Sequence, residues 1–193
     1  MNCIIFDTET DARVDSDGKF TNNQNVIDLA WRVIKDGKLV KNRSFLIHGS
    51  TDKIYKHQTV YTLADLTKDK AKEWNVVFSE FLSDLKQLPD DGKVYAHNLK
   101  FDAKAVIYTC IQQCVIFYEF EKIIKDKGVC TMKTTTELCG LEYPWGFKWP
   151  KLNELAYKLL GKRIKQLHTA SGDVEMLHAC IKKLDERGFY KTK

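Results

Sequence analysis

Three short stretches of the sequence hold carboxylates at spacings that suit chemistry. The first is Asp7-Thr8-Glu9-Thr10, directly after the apolar run Cys3-Ile4-Ile5-Phe6. Side chains two apart on a strand share a face, so Asp7 and Glu9 converge at the strand's C-terminal end. Two carboxylates held side by side repel, and each resists ionisation unless a cation neutralises the pair. Hard oxygen donors of this kind suit Mg²⁺ or Mn²⁺. By itself an Asp-x-Glu pair more often sits on a solvated strand edge. The second stretch, His97-Asn98-Leu99-Lys100-Phe101-Asp102, follows a short apolar run, Val94-Tyr95-Ala96. It reads as a helix start, with Asn98 at the cap and Asp102 in the first turn, where the helix dipole favours an anion. A plain cap with an exposed aspartate fits the same residues. The third stretch is His168-Thr169-Ala170-Ser171-Gly172-Asp173. Five residues apart, His168 and Asp173 do not share a helical face. The spacing places the histidine on a loop and the aspartate in the first turns of the helix that follows. Both groups can then aim at one centre, and an imidazole titrating near neutral pH suits a general base.

These groups need elements to position them. Asn2 to Phe6 reads as a buried strand, and Asn25 to Ile34 and Leu39 to Ile47 as two more. Lys35-Asp36-Gly37-Lys38 between the latter carries the Asp-Gly hairpin signal. From Ala71 onward Trp74, Val77, Phe78, Phe81, Leu82 and Leu85 recur at helical spacing. Val94-Tyr95-Ala96 is a short strand, a helix follows Asn98, and Val129 to Met132 is a fifth candidate strand. Leu152, Leu155, Ala156, Leu159 and Leu160 define a helix that stops at Gly161. A last helix runs from about Ala170 to Arg187, with Val174, Leu177, Ile181 and Leu184 on its apolar face. Hairpin-linked strands followed by alternating helix and strand predict an α/β fold. The expected architecture is a ribonuclease-H-like mixed five-stranded sheet flanked by helices, antiparallel first and parallel after. No repeat or linker divides the chain, so residues 1–193 are expected to form one domain.

Taken together, in this order and these contexts, the three stretches resemble the exonuclease motifs of the DEDD superfamily, histidine branch (DEDDh). That family includes the proofreading subunit of bacterial DNA polymerase III, ribonuclease T and exodeoxyribonuclease ten. The resemblance runs from Asn2 to about Leu184, and the His-x-x-x-x-Asp spacing selects the histidine branch over the tyrosine branch. It implies a 3′→5′ exonuclease in which Asp7, Glu9, Asp102 and Asp173 hold two divalent cations, Mg²⁺ or Mn²⁺, and His168 is the general base. It also implies that Thr8, Thr10, Asn98 and Phe101 contact the substrate. The implied reaction releases nucleoside 5′-monophosphates from single-stranded 3′ ends, DNA favoured. Cys130-Thr131-Met132-Lys133 and Lys148-Trp149-Pro150-Lys151-Leu152 resemble further family segments. One departure stands out: where the family often has His-Gly-Ile-Thr, this chain has Ala64-Asp65-Leu66-Thr67.

The remaining features are less specific. A net charge of +5 fits a polyanionic partner without requiring one. The apolar run before Asp7 is too short for a signal or a membrane span, so an intracellular, cytoplasmic protein is expected. Six cysteines without a C-x-x-C pair read as core thiols rather than a zinc site, Cys110 and Cys114 included. Tyr143, Trp145, Phe147 and Trp149, interleaved with Lys148 and Lys151, fit either a guide for a single strand or a loop packed over the core. Lys162, Arg163 and Lys165 form a basic run before His168, and Asp28 reads as structural. Two alternatives share the motifs: an RNA-trimming exoribonuclease, and a non-catalytic nucleic-acid-binding module associated with a polymerase. Four carboxylates plus a histidine speak against the second, since an inactive module has no need of them.

Overall fold

Alternation in the first strand sets the architecture. The computed structural model of the chain describes residues 1–11, 24–49, 51, 53–54, 60–162 and 168–190. In β1 (Cys3–Thr10), Ile4 and Phe6 point to one face of the sheet and Cys3 and Ile5 to the other. All four are buried, so the strand is covered on both sides. Strand β2 (Val26–Lys35) pairs with β1 antiparallel and turns back into β3 (Lys38–His48). Asp36 and Gly37 make that turn with φ of 51° and 75°. Two successive positive φ values define a type I′ turn, which the Asp-Gly pair supplies at little steric cost.

A 3₁₀ turn (Leu63–Leu66) follows, then the two-residue strand β4 (Lys72–Glu73) and helix α1 (Trp74–Lys86). Strand β5 (Lys93–Ala96) lies parallel to β1, and helix α2 (Leu99–Gln112) leaves its end. Helix α3 (Tyr118–Lys127) leads into β6 (Gly128–Cys130), parallel to β5. Two one-turn helices, α4 (Thr131–Thr134) and α5 (Thr136–Cys139), precede a separate hairpin of β7 (Glu142–Tyr143) and β8 (Gly146–Phe147). Helices α6 (Leu152–Leu160) and α7 (Ala170–Glu186) complete the described elements. The sheet order is β4-β3-β2-β1-β5-β6.

Among the described residues the main sheet therefore has six strands, not the expected five. The extra strand is β4, which pairs with the end of β3 through only two residues, too few to show any periodicity in sequence. The antiparallel-then-parallel layout is present. Helix α3 carries no clear sequence signal because it is mostly charged and polar, and only Phe120 on it is fully buried. Cys114 corrects the expectation of core thiols: it lies beyond α2 at a positive φ and is exposed, whereas Cys110 is buried. No described helix is long and apolar enough to cross a membrane.

One face of the sheet packs against α1, α2 and α3, the other against α6 and α7. The first core centres on Phe81, whose ring lies 5.3 Å from Phe6, 5.1 Å from Trp31 and 6.1 Å from Phe120 between centroids. The Trp31 indole donates to buried Asp84 at 2.8 Å, and Lys41 pairs with the same carboxylate at 2.5 Å. Those contacts satisfy a buried charge that would otherwise be costly. Phe81→Ala would remove the ring shared by three aromatic contacts. We expect a loss of about 3–5 kcal/mol in urea unfolding with an unchanged m-value. A loss below about 1 kcal/mol would mean that this core collapses to fill the cavity.

Candidate active site

The parallel strands β1 and β5 end at one edge of the sheet, and α2 starts from that edge. Asp7 and Glu9 alternate with Thr8 along the end of β1, so the two carboxylates face the α7 side and Thr8 faces α2. Asp173 sits in the first turn of α7 and is buried. Carboxylate oxygens of Asp7, Glu9 and Asp173 all lie within 4.8 Å of one another. Asp102 arrives from the opposite face, in the first turn of α2. Its Oδ1 accepts from the Thr8 backbone N–H at 3.2 Å and from the Thr8 hydroxyl at 2.8 Å. Thr8 thus fastens the helix that carries Asp102 to the strand that carries Asp7 and Glu9.

Charge repulsion dominates the electrostatics. Burial, then the neighbouring Asp102, Asp173, Glu9 and Asp28, push the Asp7 carboxyl well above its ordinary range. Burial, followed by Asp173, Asp28 and Asp102, raises Glu9 to about 8. Burial lifts Asp102 to about 7 even though the Thr8 hydrogen bonds pull it down. Among the described residues no lysine or arginine forms an ion pair with Asp7, Glu9 or Asp102. Hard oxygen donors crowded together in this way fit divalent metal ions. Asp7, Glu9 and Asp173 supply the shared oxygen cage, and Asp102 stands on the other side of β1.

Asp28 is buried and lies opposite Glu9 in the β1–β2 register. Its Oδ2 accepts the Ala170 backbone N–H at 3.0 Å and the Tyr61 hydroxyl at 2.5 Å. The first contact caps the start of α7 from a strand far away in sequence. The structural reading of Asp28 therefore becomes specific, because this carboxylate docks the helix of Asp173 onto the sheet. Nothing in the sequence points to Tyr61, an isolated tyrosine outside any periodic run.

His168 immediately precedes the Thr169 N-cap, whose hydroxyl accepts from the Gly172 N–H at 3.2 Å. The histidine is exposed and has a φ of 53°. That left-handed conformation costs a non-glycine residue about 1 kcal/mol, and the two anchors that follow, Thr169 and Ala170, hold it. His97, by contrast, is buried. Its Nε2 lies 2.8 Å from the Pro150 carbonyl and its Nδ1 3.1 Å from the Thr131 hydroxyl. A carbonyl only accepts, so Nε2 carries the proton and Nδ1 accepts from the hydroxyl. Burial holds the His97 pKa below the ordinary imidazole value.

Of the expected substrate contacts, Thr8 spends its hydroxyl on Asp102, and Thr10 is buried with its hydroxyl on Gln24 Oε1. Asn98 holds the N-cap position of α2 and is exposed, without a side-chain cap bond, and Phe101 is half-buried. In the Ala64-Asp65-Leu66-Thr67 segment Leu66 is buried, and its carbonyl accepts from the His48 ring at 2.8 Å. Lys162 is exposed, while Arg163 and Lys165 lie outside the described residues.

This architecture is that of the ribonuclease-H-like exonuclease folds. No family model matches the sequence, and no curated protein matches it. Solved structures do match in shape. A 3′-exonuclease recognising the 3′ end of a histone mRNA stem-loop superposes with a TM-score of 0.73 at 12% identity, over 97% of this chain and 82% of that one. The nuclease domain of 3′hExo, a DEDDh family member bound to rAMP, gives 0.73 at 12% identity, over 97% and 92%. Exonuclease I of E. coli with a dT13 oligonucleotide gives 0.69 at 13% identity, over 98% of this chain but 42% of that larger chain. At such identities the likeness establishes the fold.

The raised carboxylates give the metal-free protein a defined pH response. In the unfolded chain these groups titrate near 4, whereas folded Glu9 and Asp102 stay protonated to about 8 and about 7. The folded state then binds more protons, so their contribution is full below about pH 4 and is lost progressively as pH rises to 7 to 8. In EDTA the melting temperature should fall between about pH 5.5 and 8.5. Asp7→Asn should lessen the fall, and Mn²⁺ should reverse it at the upper pH. A metal-free melting temperature independent of pH, together with no Mn²⁺ stabilisation, would contradict the assignment of a cation site.

Proposed function

We propose that the chain is a divalent-metal-dependent 3′→5′ exonuclease, with residues 1–193 acting as one exonuclease domain. It would hydrolyse phosphodiester bonds at the 3′ end of single-stranded nucleic acid, DNA favoured, and release nucleoside 5′-monophosphates. The observation that carries this reading is the oxygen cluster of Asp7, Glu9 and Asp173, with Asp102 bound across β1. The solved structures of similar fold add weight, because they are exonucleases with an oligonucleotide, an RNA stem-loop or rAMP. An intracellular, cytoplasmic setting is part of the reading.

Asp7, Glu9, Asp102 and Asp173 would hold two divalent cations, Mg²⁺ or Mn²⁺. When bound, such ions neutralise the phosphate, favour ionisation of the attacking water and stabilise the departing oxygen. The residues of the chain supply the rest. His168, on its strained loop at the mouth of α7, takes the proton of the attacking water. The water oxygen bonds to phosphorus, and the bond from phosphorus to the 3′ oxygen of the penultimate nucleotide breaks. That oxygen leaves and is protonated, while the phosphate stays on the 5′ position of the released nucleotide. Thr8 keeps Asp102 in register with Asp7, and Asp28 keeps Asp173 and His168 at the same edge. Asn98 and Phe101, at the start of α2, and Thr10 are the remaining proposed substrate contacts.

An RNA-trimming enzyme would use the same carboxylates, so a single assay separates the possibilities. Oligonucleotides of DNA and RNA labelled at either end, incubated with Mg²⁺, Mn²⁺ or EDTA, report activity, polarity and sugar preference together. We expect stepwise shortening from the 3′ end that needs metal, and none with Asp7→Ala. Metal-independent cleavage, or shortening from the 5′ end, would overturn the reading. His168→Ala should lower kcat by about 10²–10⁴ with metal binding intact, and should flatten the acidic limb of the pH–rate profile. A change confined to KM would instead make His168 a phosphate contact.

A further inference from the structure

The aromatic segment after α5 is not core. Among its residues Tyr143 is 63% exposed, Trp145 93%, Phe147 51% and Trp149 58%. Single exposed apolar residues are ordinary, but four rings within seven residues make a patch that calls for an occupant. The segment is ordered by its own backbone. Glu142 pairs with Phe147, Tyr143 with Gly146, and the Lys148 N–H reaches the Leu141 carbonyl at 2.9 Å. Gly146, at a φ of 127°, lets the short loop through Pro144 and Trp145 close.

Its place in the fold is informative. The segment ends at Pro150, whose carbonyl accepts from His97, and His97 directly follows β5. The same imidazole meets Thr131, which directly follows β6. Because β1, β5 and β6 run parallel, all three end at one edge of the sheet. The hairpin is therefore rooted on the edge that carries Asp7, Glu9 and Asp102, on the β6 side of them. His97 is the rivet, which explains a buried histidine that the chemistry does not use.

The chemistry of the patch narrows the occupant. The exposed apolar surface of residues 142–149 is aromatic, and ring faces are the surfaces on which nucleobases stack. The Lys133 ammonium lies 5.5 Å from the Trp149 ring centre, which puts a positive charge beside the rings. Lys148, next to Trp149 in the chain, is held by Glu154 at 2.6 Å. Flat faces next to a cation, continuous with a site for strand ends, match unpaired nucleobases joined by phosphates.

We propose that the hairpin of residues 142–149 is an accessory binding site for unpaired nucleic acid, stacking nucleobases that lie 5′ of the terminus held at the carboxylates. Its position on the substrate's route rests on the exonuclease reading; its binding does not. The site acts on affinity for strands long enough to span the edge, and not on the hydrolytic step.

The protein's own tryptophans provide the test. Trp31 and Trp74 are buried, so iodide quenching reports Trp145 and Trp149. In EDTA, where no strand is cut, a twelve-nucleotide oligothymidylate or oligouridylate should shield that fluorescence, and a dinucleotide should not. Trp145→Ala, at an exposed tip, should weaken binding of the longer strand about tenfold. It should raise KM for the long strand by a similar factor, with kcat and dinucleotide KM unchanged. Shielding by either homopolymer supports the proposal, and the pair of them tells which sugar is preferred. Asp7→Ala should retain the shielding, so a failed exonuclease assay leaves this result standing. The proposal is overturned if neither homopolymer shields, if Trp145→Ala binds the long strand as well as wild type, or if shielding rises with protein concentration alone. The last outcome would make the hairpin a contact between copies of the chain.

Discussion

Carboxylates that repel one another must be held at one place against that repulsion. Asp7, Glu9, Asp28, Asp102 and Asp173 crowd the carboxyl edge of β1 and β5, and burial strengthens every interaction among them. The fold offsets part of this with dipoles. Asp102 and Asp173 each occupy the first turn of a helix, where unpaired N–H groups favour negative charge. Thr8 gives two donors to Asp102, and Ala170 and Tyr61 give two to Asp28. Both sheet faces are sealed by aliphatic and aromatic packing, so neither helix can relax outward without opening a core.

Much of this arrangement is legible in sequence because it rests on period and local chemistry. The apolar run Cys3-Ile4-Ile5-Phe6 marks β1, and the two-residue strand period fixes the common face of Asp7 and Glu9. Asp36-Gly37 marks the hairpin, and the 3.6-residue period marks α1, α6 and α7. The convergence of Asp173 with the β1 pair is what the family resemblance implies, and a helix start after His168 is its local part. What stays hidden depends on contacts between segments far apart in the chain. Family resemblance assigns Thr8 to substrate, but the bond from its hydroxyl to Asp102 arises only when α2 docks against β1. The bond from Asp28 to Ala170 joins a strand to a helix much later in the chain. Helix α3 is masked by its charge, and β4 by its length. The aromatic segment is ambiguous because rings interleaved with lysines read equally as a guide for a single strand or as a loop packed over the core.

The three solved structures are close in shape and remote in sequence, at 12–13% identity. In this chain few positions make the acidic edge: an alternating pair on a strand and one acid at each of two helix starts. The other positions need only preserve volume and polarity pattern, which many residues can do. His97 illustrates the freedom that remains. In this chain it anchors an aromatic hairpin to the edge, with no part in the proposed chemistry.

The order in which the carboxylates occur along the chain has a consequence for biosynthesis. Asp7, Glu9 and Asp102 leave the ribosome well before Asp173, which arrives with α7. A nascent chain that has folded through β6 therefore has three carboxylates at an uncovered edge and lacks one wall of the oxygen cage. In the proposed reading such a chain cannot hold its ions and cannot hydrolyse a strand end. The N–H of Ala170 closing on Asp28 would then mark the moment at which a harmless polypeptide becomes a nuclease.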